Sequence, residues 1–262
     1  MTLTHNAIRE AADLLHDAQT TRTPIGPLTE RFPGLDVVGA YAVQQANLSR
    51  RMGEGRAVVG HKIGLTSQPM QTLLGVDEPD FGYILDDMVL ANGSAAPGDR
   101  FCAPRVEPEV AFLLRQPLRG PGITVDDVHA ATEAVAVALE IVDSRIADWK
   151  LTLPDTVADN ASSGAVVLGD WVPYGHGLDL QCARASLWLN ATEIDSGVGS
   201  AVMGNPAAAV AWLANALAPF GTEILAGQFI MSGSFTTAAF LHPGDHASAT
   251  ISGLGSVSLS FT

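Results

Sequence analysis

The sequence predicts an α+β fold, and three observations carry that prediction. Helix-like and strand-like segments are separated along the chain instead of alternating as regular strand–helix–strand units. The middle of the chain holds β-branched runs, and about the last 35 residues read as short strands between turns.

From the N-terminus, Ile8, Ala11, Ala12, Leu15 and Ala18 fall at helical spacing, and the Pro-bearing stretch TTRTPIGP is expected to end that helix near Ala18. A second helix is predicted from an Asp36 N-cap through Val37, Tyr41, Ala46 and Leu48 to Arg51, stopped by the glycines of MGEG. AVVGHKIGL reads as a strand, and Ser67 followed by PMQTLLG as a short capped helix ended by Gly75. PRVEPEVAFLL, Pro104 to Leu114, is the next strand. Thr124, with Asp127 three residues later in a variant capping box, opens a helical pattern over Thr124 to Glu133. Val135 to Val142 is β-branched and apolar apart from Glu140, and Ala207 to Leu217, opened by Pro206 and free of charge, should be a helix buried on most sides. FIMSGSF, HASATISG and GSVSLSF, punctuated by PGD and SGLG, suggest an antiparallel or mixed sheet.

A chain of 262 residues can build a core without help. Its 14 Lys and Arg against 28 Asp and Glu give a net charge of −14, which disfavours nucleic acid and anionic membrane as partners. The 47% apolar and 16% charged content excludes disorder, and no run approaches the roughly 20 uninterrupted apolar residues of a membrane span. MTLTHNAIREAADLL mixes Arg9, Glu10 and Asp13 into its apolar positions and does not read as an export signal. Cys102 and Cys182 suggest neither a disulfide framework nor a zinc site, so a cytoplasmic location is expected.

Candidate chemistry starts in PRVEPEVAFLL. Strand periodicity places Arg105, Glu107, Glu109, Ala111 and Leu113 on one face, with the two carboxylates about 6.5–7 Å apart along the backbone. Glu140 stands in AVALEIVD, where a charge is costly unless paired or bound to metal. Three oxygen donors without His or Cys describe a hard-cation site for Mg²⁺ or Mn²⁺. Spacing alone also allows Glu107 and Glu109 to be the solvent face of an edge strand, with Glu140 paired to an Arg such as Arg145. Lys62 is flanked on its face by Gly60 and Gly64, which suits either close approach of an anionic substrate or a bend with the lysine turned outward. Asp77, Glu78 and Asp80 form an acidic turn, and LPDTVADNASSG (Leu153 to Gly164) either lines a site or is a capped loop. His61, His129, His176, His242 and His246 lack metal-ligand spacing, and neither GxSxG nor a nucleotide-cradling glycine motif occurs.

Taken together, GHKIGLTS, LGVDEPDFGYILDDM, PRVEPEVAFLL, ALEIVDSRIADW, DTVADNASSG and PGDHASATISGLGSVSLSF resemble the 2-keto-4-pentenoate hydratase group of the fumarylacetoacetate hydrolase superfamily, over Tyr41 to Phe261. The resemblance implies a mixed β-sheet roll with surrounding helices, as one hydratase/decarboxylase-type domain over residues 1–262 with a helical N-terminal subregion at 1–56. It implies Mg²⁺ or Mn²⁺ held by Glu107, Glu109 and Glu140, with Lys62, Asp80 and Ser162 at a 2-oxo or 2-hydroxy dienoate substrate. It also implies a homo-oligomer and a complex with a sister decarboxylase or aldolase. The expected reaction is hydration of 2-hydroxypenta-2,4-dienoate or a close homologue, in aromatic meta-cleavage catabolism. PRVEPE stands where the hydrolase branch has an HYE-type segment, which argues against diketone hydrolysis. The alternatives are 4-oxalocrotonate decarboxylase and a non-catalytic partner subunit. MSGSFTTAAF leans towards larger or dicarboxylic dienoates, whereas SRIADW looks like the small-substrate hydratases. For a terminal carboxylate several arginines are candidates, including Arg51, Arg56 and Arg145.

Overall fold

The computed structural model describes residues 3–175 and 177–262, so His176 lies outside the described residues, as do the side chains of residues 73 and 74. Helix α1 (His5–Thr21) starts at Thr4, whose hydroxyl accepts from the Ala7 amide, and buries Ala11, Ala12, Leu15 and Ala18. It runs past Ala18 because Thr20 and Thr21 donate their hydroxyls back to the His16 and Asp17 carbonyls. A single turn, α2 (Leu28–Arg31), precedes α3 (Val37–Gly53), which Asp36 caps through the Gly39 amide. Strand β1 (Val58–Gly64) leads to α4 (Gln68–Leu74), where Ser67 occupies the N-cap position without a capping hydrogen bond and Gly75 ends the helix at φ 66°. Then follow β2 (Asp80–Leu85), β3 (Val89–Leu90), β4 (Ala95–Ala96) and the long β5 (Arg105–Leu114).

Helix α5 (Val125–Ala131) carries the Thr124/Asp127 capping box but stops short of Glu133. The chain passes directly into β6 (Thr132–Val142), because this run pairs with β5 from Thr132 onward. LPDTVADNASSG is helical rather than a loop: α6 (Leu153–Ala158) and a left-handed turn at Asn160–Ser162 lead into β7 (Ser163–Leu168). The remaining elements are β8 (Val172–Pro173), β9 (Arg184–Leu189), β10 (Thr192–Val198), α7 (Pro206–Leu217), β11 (Phe229–Ser234), β12 (Ala239–Phe240), β13 (His246–Ile251) and β14 (Gly255–Phe261).

The strands form two mixed sheets. One has the order β2-β1-β11-β5-β6-β7-β3, with β12 beside β5 and β8 beside β6, and the other β10-β9-β13-β14-β4. Val110, Phe112, Val137, Leu139 and Ile141, on one face of the β5–β6 pair, share a buried core with Leu187, Ala249, Val257 and Leu259 of the second sheet. On the opposite face, Ala111, Ala138, Val166, Phe229 and Met231 form a smaller apolar cluster with Ile84, Leu85 and Met88. The stretch Gly199–Phe220 is long and apolar enough to cross a membrane, but half of its most apolar window is buried within the protein. Its regular helix α7 has 12 residues, about 18 Å, against a hydrocarbon thickness of about 30 Å.

The first sheet is strongly curled. From β1 to β6 there are three strand steps, about 14 Å across a flat sheet whose side chains stand perpendicular to it. Yet Lys62 Nζ lies 3.4 Å from Glu140 Oε1. The free edge of β2 is closed by one side chain: Asn160 Oδ1 accepts from the Tyr83 amide (2.8 Å) and its Nδ2 donates to the Tyr83 carbonyl (2.9 Å). Gly82 makes room, since a Cβ there would stand 2.4 Å from the Asn160 carbonyl oxygen. Asn160, Ala161 and Ser162 all have positive φ (56°, 51° and 54°), which for non-glycine residues costs on the order of 1–2 kcal/mol each. The Asn160 bonds offset part of that cost. Replacing Asn160 with alanine is expected to lower stability by about 1–3 kcal/mol in urea denaturation, and an unchanged midpoint would contradict its edge-closing role.

Candidate metal and active site

The acidic residues are set by strand register. Glu107 on β5 is the direct partner of Glu140 on β6, and Glu109 pairs with Ala138 one alternation away. All three side chains share the concave face, and one carboxylate oxygen from each lies within 4.8 Å of the others. Glu109 and Glu140 are 0% and 1% exposed in a central pair of strands, which overturns the solvent-face, edge-strand reading. Pro108 between the glutamates cannot donate a ladder bond. It sits where β11 bulges between Met231 and Ser234 and β12 takes over the pairing at Val106. That bulge turns the Gly233 amide onto Glu109 Oε2 at 2.7 Å. Gly233 has φ 108°, and a Cβ there would meet Thr66 Oγ1 at 2.2 Å. Glu109 Oε1 and both Glu140 carboxylate oxygens are buried without a hydrogen-bond partner. Three converging carboxylates, two of them with buried and unpartnered oxygens, are the donor set of a hard divalent cation, so these residues fit one.

Lys62 is buried, 3% exposed, and does not turn outward. It donates to the Ala161 carbonyl at 2.9 Å, so the left-handed turn and the acidic trio share one ammonium group. Gly64 leaves the space that Asp80 enters, because a Cβ there would lie 2.2 Å from Asp80 Oδ1 and 3.2 Å from Lys62 Nζ. The acidic turn divides accordingly: Asp77 and Glu78 are exposed, whereas Asp80 is buried at the start of β2. Thr156 Oγ1 donates to Asp80 Oδ2 and stands 3.3 Å from Ser162 Oγ, linking two residues predicted from sequence. Asp80 Oδ1 has no partner.

Burial raises the pKa of every carboxyl group here. Glu107 is pushed up to about 7 by burial and by Glu140, with Lys62 opposing. Glu109 is raised well above the ordinary carboxylate range, by burial and by the charges of Glu140 and Glu107. Burial also raises Glu140 and Asp80, against the pull of Lys62. Burial disfavours the Lys62 ammonium, but the charges of Glu140, Asp80, Glu107 and Glu109 outweigh it and hold the ammonium above its ordinary value.

Arg145 does not pair with Glu140. It is buried against Asp159, which accepts from the Arg145 amide at 2.9 Å and from its guanidinium, while Nη1 reaches the Ser163 carbonyl at 3.0 Å. Arg51 pairs with Asp87, and Arg56 with Asp86 and Asp87. Sequence reasoning missed Thr156 and the Gly233 amide. A glycine between serines in an apolar strand is the signal that could have marked Gly233.

The fumarylacetoacetate (FAA) hydrolase C-terminal family matches residues 52–261. A 2-hydroxyhexa-2,4-dienoate hydratase of Comamonas testosteroni is 44% identical over 250 residues, 95% of either chain. A 2-keto-4-pentenoate hydratase of Paraburkholderia xenovorans (strain LB400) is 43% identical over 252 residues, 96% of this chain and 94% of the relative. The structure of 4-oxalocrotonate decarboxylase from Pseudomonas putida G7, complexed with magnesium and adipate, superimposes with a TM-score of 0.96 at 35% identity, covering 100% of this chain and 99% of that one.

Mg²⁺ or Mn²⁺ at about a hundredfold excess over its Kd is expected to raise the unfolding free energy by about 2.7 kcal/mol. The increment should vanish in Glu109→Gln, while the metal-free variant, which no longer buries an ionisable carboxyl beside Glu107 and Glu140, should be at least as stable as the parent. Thermal denaturation with and without metal reads both, and an equal shift in the variant would contradict the assignment.

Proposed function

The chain belongs to the fumarylacetoacetate hydrolase family, and we propose that within it the protein is a hydro-lyase that adds water to 2-hydroxypenta-2,4-dienoate or a close homologue, giving a 4-hydroxy-2-oxo acid in aromatic meta-cleavage catabolism. The observation that carries this reading is the convergent Glu107, Glu109 and Glu140 set, with buried unpartnered oxygens on Glu109 and Glu140, sharing its enclosure with Lys62 and Asp80. Greater identity to the hydratases than to the decarboxylase places the decarboxylase second. The intact set weighs against a non-catalytic subunit.

Glu107, Glu109 and Glu140 would hold Mg²⁺ or Mn²⁺. Bound there, the cation supplies stabilisation for negative charge growing at the 2-oxygen of the substrate. The enol proton leaves and carbon 5 gains a proton, which gives a conjugated 2-oxo acid; water then adds as hydroxyl at carbon 4 and proton at carbon 3. Lys62 delivers or recovers the proton at carbon, since one of its three N–H donors is occupied by Ala161 and another faces Glu140. Asp80 receives the proton of the attacking water at its unpartnered Oδ1, and Thr156 fixes that carboxylate through Oδ2. Ser162, joined to Asp80 through Thr156, orients the water or the substrate carboxylate. The same reading has the protein act in the cytoplasm as a homo-oligomer, in association with a sister decarboxylase or aldolase, with residues 1–262 as one unit and 1–56 its helical N-terminal part.

Lys62→Met is expected to slow both single-turnover ketonisation and hydration by about 10²–10⁴-fold, followed by diene absorbance and by assay of the 4-hydroxy-2-oxo product. Unchanged rates would remove Lys62 from the mechanism. Release of CO₂ from 4-oxalocrotonate without hydration of the pentadienoate would make the decarboxylase reading correct instead.

A further inference from the structure

Arg105 opens β5 on the face that carries Glu107 and Glu109, one alternation further towards the end of the strand. Its guanidinium lies between two rings, 4.2 Å from the Trp149 centroid and 4.2 Å from that of Phe240. Trp149 comes from the turn after β6, and Phe240 from β12, where it is the register partner of Arg105. Phe240 is 52% exposed and Arg105 half-buried, so the stack stands where the acidic face opens to solvent.

Arg105 differs in its ionic partners from five of the other arginines. Arg31, Arg50, Arg51, Arg56 and Arg145 each pair with a carboxylate. Among the described residues Arg105 has neither an ion pair nor a side-chain hydrogen bond, and its Nε is buried without a partner. Trp149 Nε1 beside it is also buried and unpartnered. A guanidinium presents five N–H donors in one plane and keeps its charge, and stacking between rings fixes that plane while leaving its edge open. A carboxylate is the group that such an edge accepts in two parallel bonds.

We propose that Arg105 is a substrate-binding residue, whose ring-clamped guanidinium receives a carboxylate of the substrate next to the Glu107, Glu109 and Glu140 set. The identity of that substrate rests on the hydratase reading; the anion chemistry of Arg105 does not. Two carboxylates qualify: the one at carbon 1 of the 2-oxo acid, and a distal one on a dicarboxylic dienoate.

The test uses the Mg²⁺-loaded full chain and the variants Arg105→Gln and Arg105→Lys, titrated with pyruvate and with adipate by calorimetry, with Mg²⁺ affinity and melting temperature measured alongside. A rise in Kd of at least about tenfold for pyruvate, at unchanged Mg²⁺ affinity, assigns Arg105 to the carbon 1 carboxylate; a rise for adipate alone assigns it to a distal one. Arg105→Lys, which keeps the charge and loses the planar fork, should recover only part of the affinity and supplies the answer if Arg105→Gln does not fold. Unchanged Kd values for both probes overturn the proposal, as does a lowered melting temperature with unchanged Kd, which would make the stack a structural clasp. A parent protein that binds neither probe overturns it as well. Hydration of the pentadienoate by the parent protein is assayed separately, so failure of the hydratase reading leaves the Kd comparison decisive for Arg105.

Discussion

Four carboxylates and one ammonium enclosed in the concavity of a curled sheet set the terms for the rest of this molecule. Glu109, Glu140, Asp80 and Lys62 are each 3% exposed or less, and Glu107 completes the group. Carboxylates in a low-dielectric enclosure repel one another and lose hydration, so they stay ionised only if compensating charge or hydrogen bonds are supplied. Lys62 and the Gly233 amide supply part of it. The unpartnered oxygens on Glu109 and Glu140 measure how much remains for a cation to supply.

The scaffold is arranged to hold that imbalance in one geometry. Glu107, Glu109 and Glu140 stand on paired central strands, where register fixes them more firmly than loops would. Gly60 and Gly64 leave room for the close approach of Phe229 and Asp80 on either side of Lys62, while the opposite face of β5 and β6 is committed to the core shared with the second sheet. The turn at Asn160–Ser162 brings the Ala161 carbonyl and the Ser162 hydroxyl to Lys62 and Thr156. Arg145, buried against Asp159 and the Ser163 carbonyl, anchors both ends of that turn. Removing either member of this ion pair would leave the other charge buried and unpaired.

Much of this was legible in the sequence because it is local. Alternation along PRVEPEVAFLL puts Glu107 and Glu109 on one face whatever the partner strands are, and an isolated Glu140 in an apolar strand signals a compensated charge. Strand periodicity does not give register, so the meeting of Glu140 with Glu107 rather than with Arg145 became visible only in the fold. The helix over Val125–Ala131 ended early for a related reason, since pairing with β5 claimed Thr132 and Glu133 for the strand. The role of LPDTVADNASSG stayed open because three consecutive non-glycine residues at positive φ carry no sequence signal. Arg105 stands close to Glu107 in the sequence, but its ring partners Trp149 and Phe240 are each more than 40 residues away, and such contacts belong to topology.

Anomalous scattering from crystals soaked in Mn²⁺ together with a 2-oxo acid tests the central assignment most directly. The predicted result is one strong peak bonded by carboxylate oxygens of Glu107, Glu109 and Glu140, with the 2-oxo acid on the same ion and Lys62 alongside. A trio without a peak at Mn²⁺ concentrations that saturate activity, or a peak held by other residues, would contradict it.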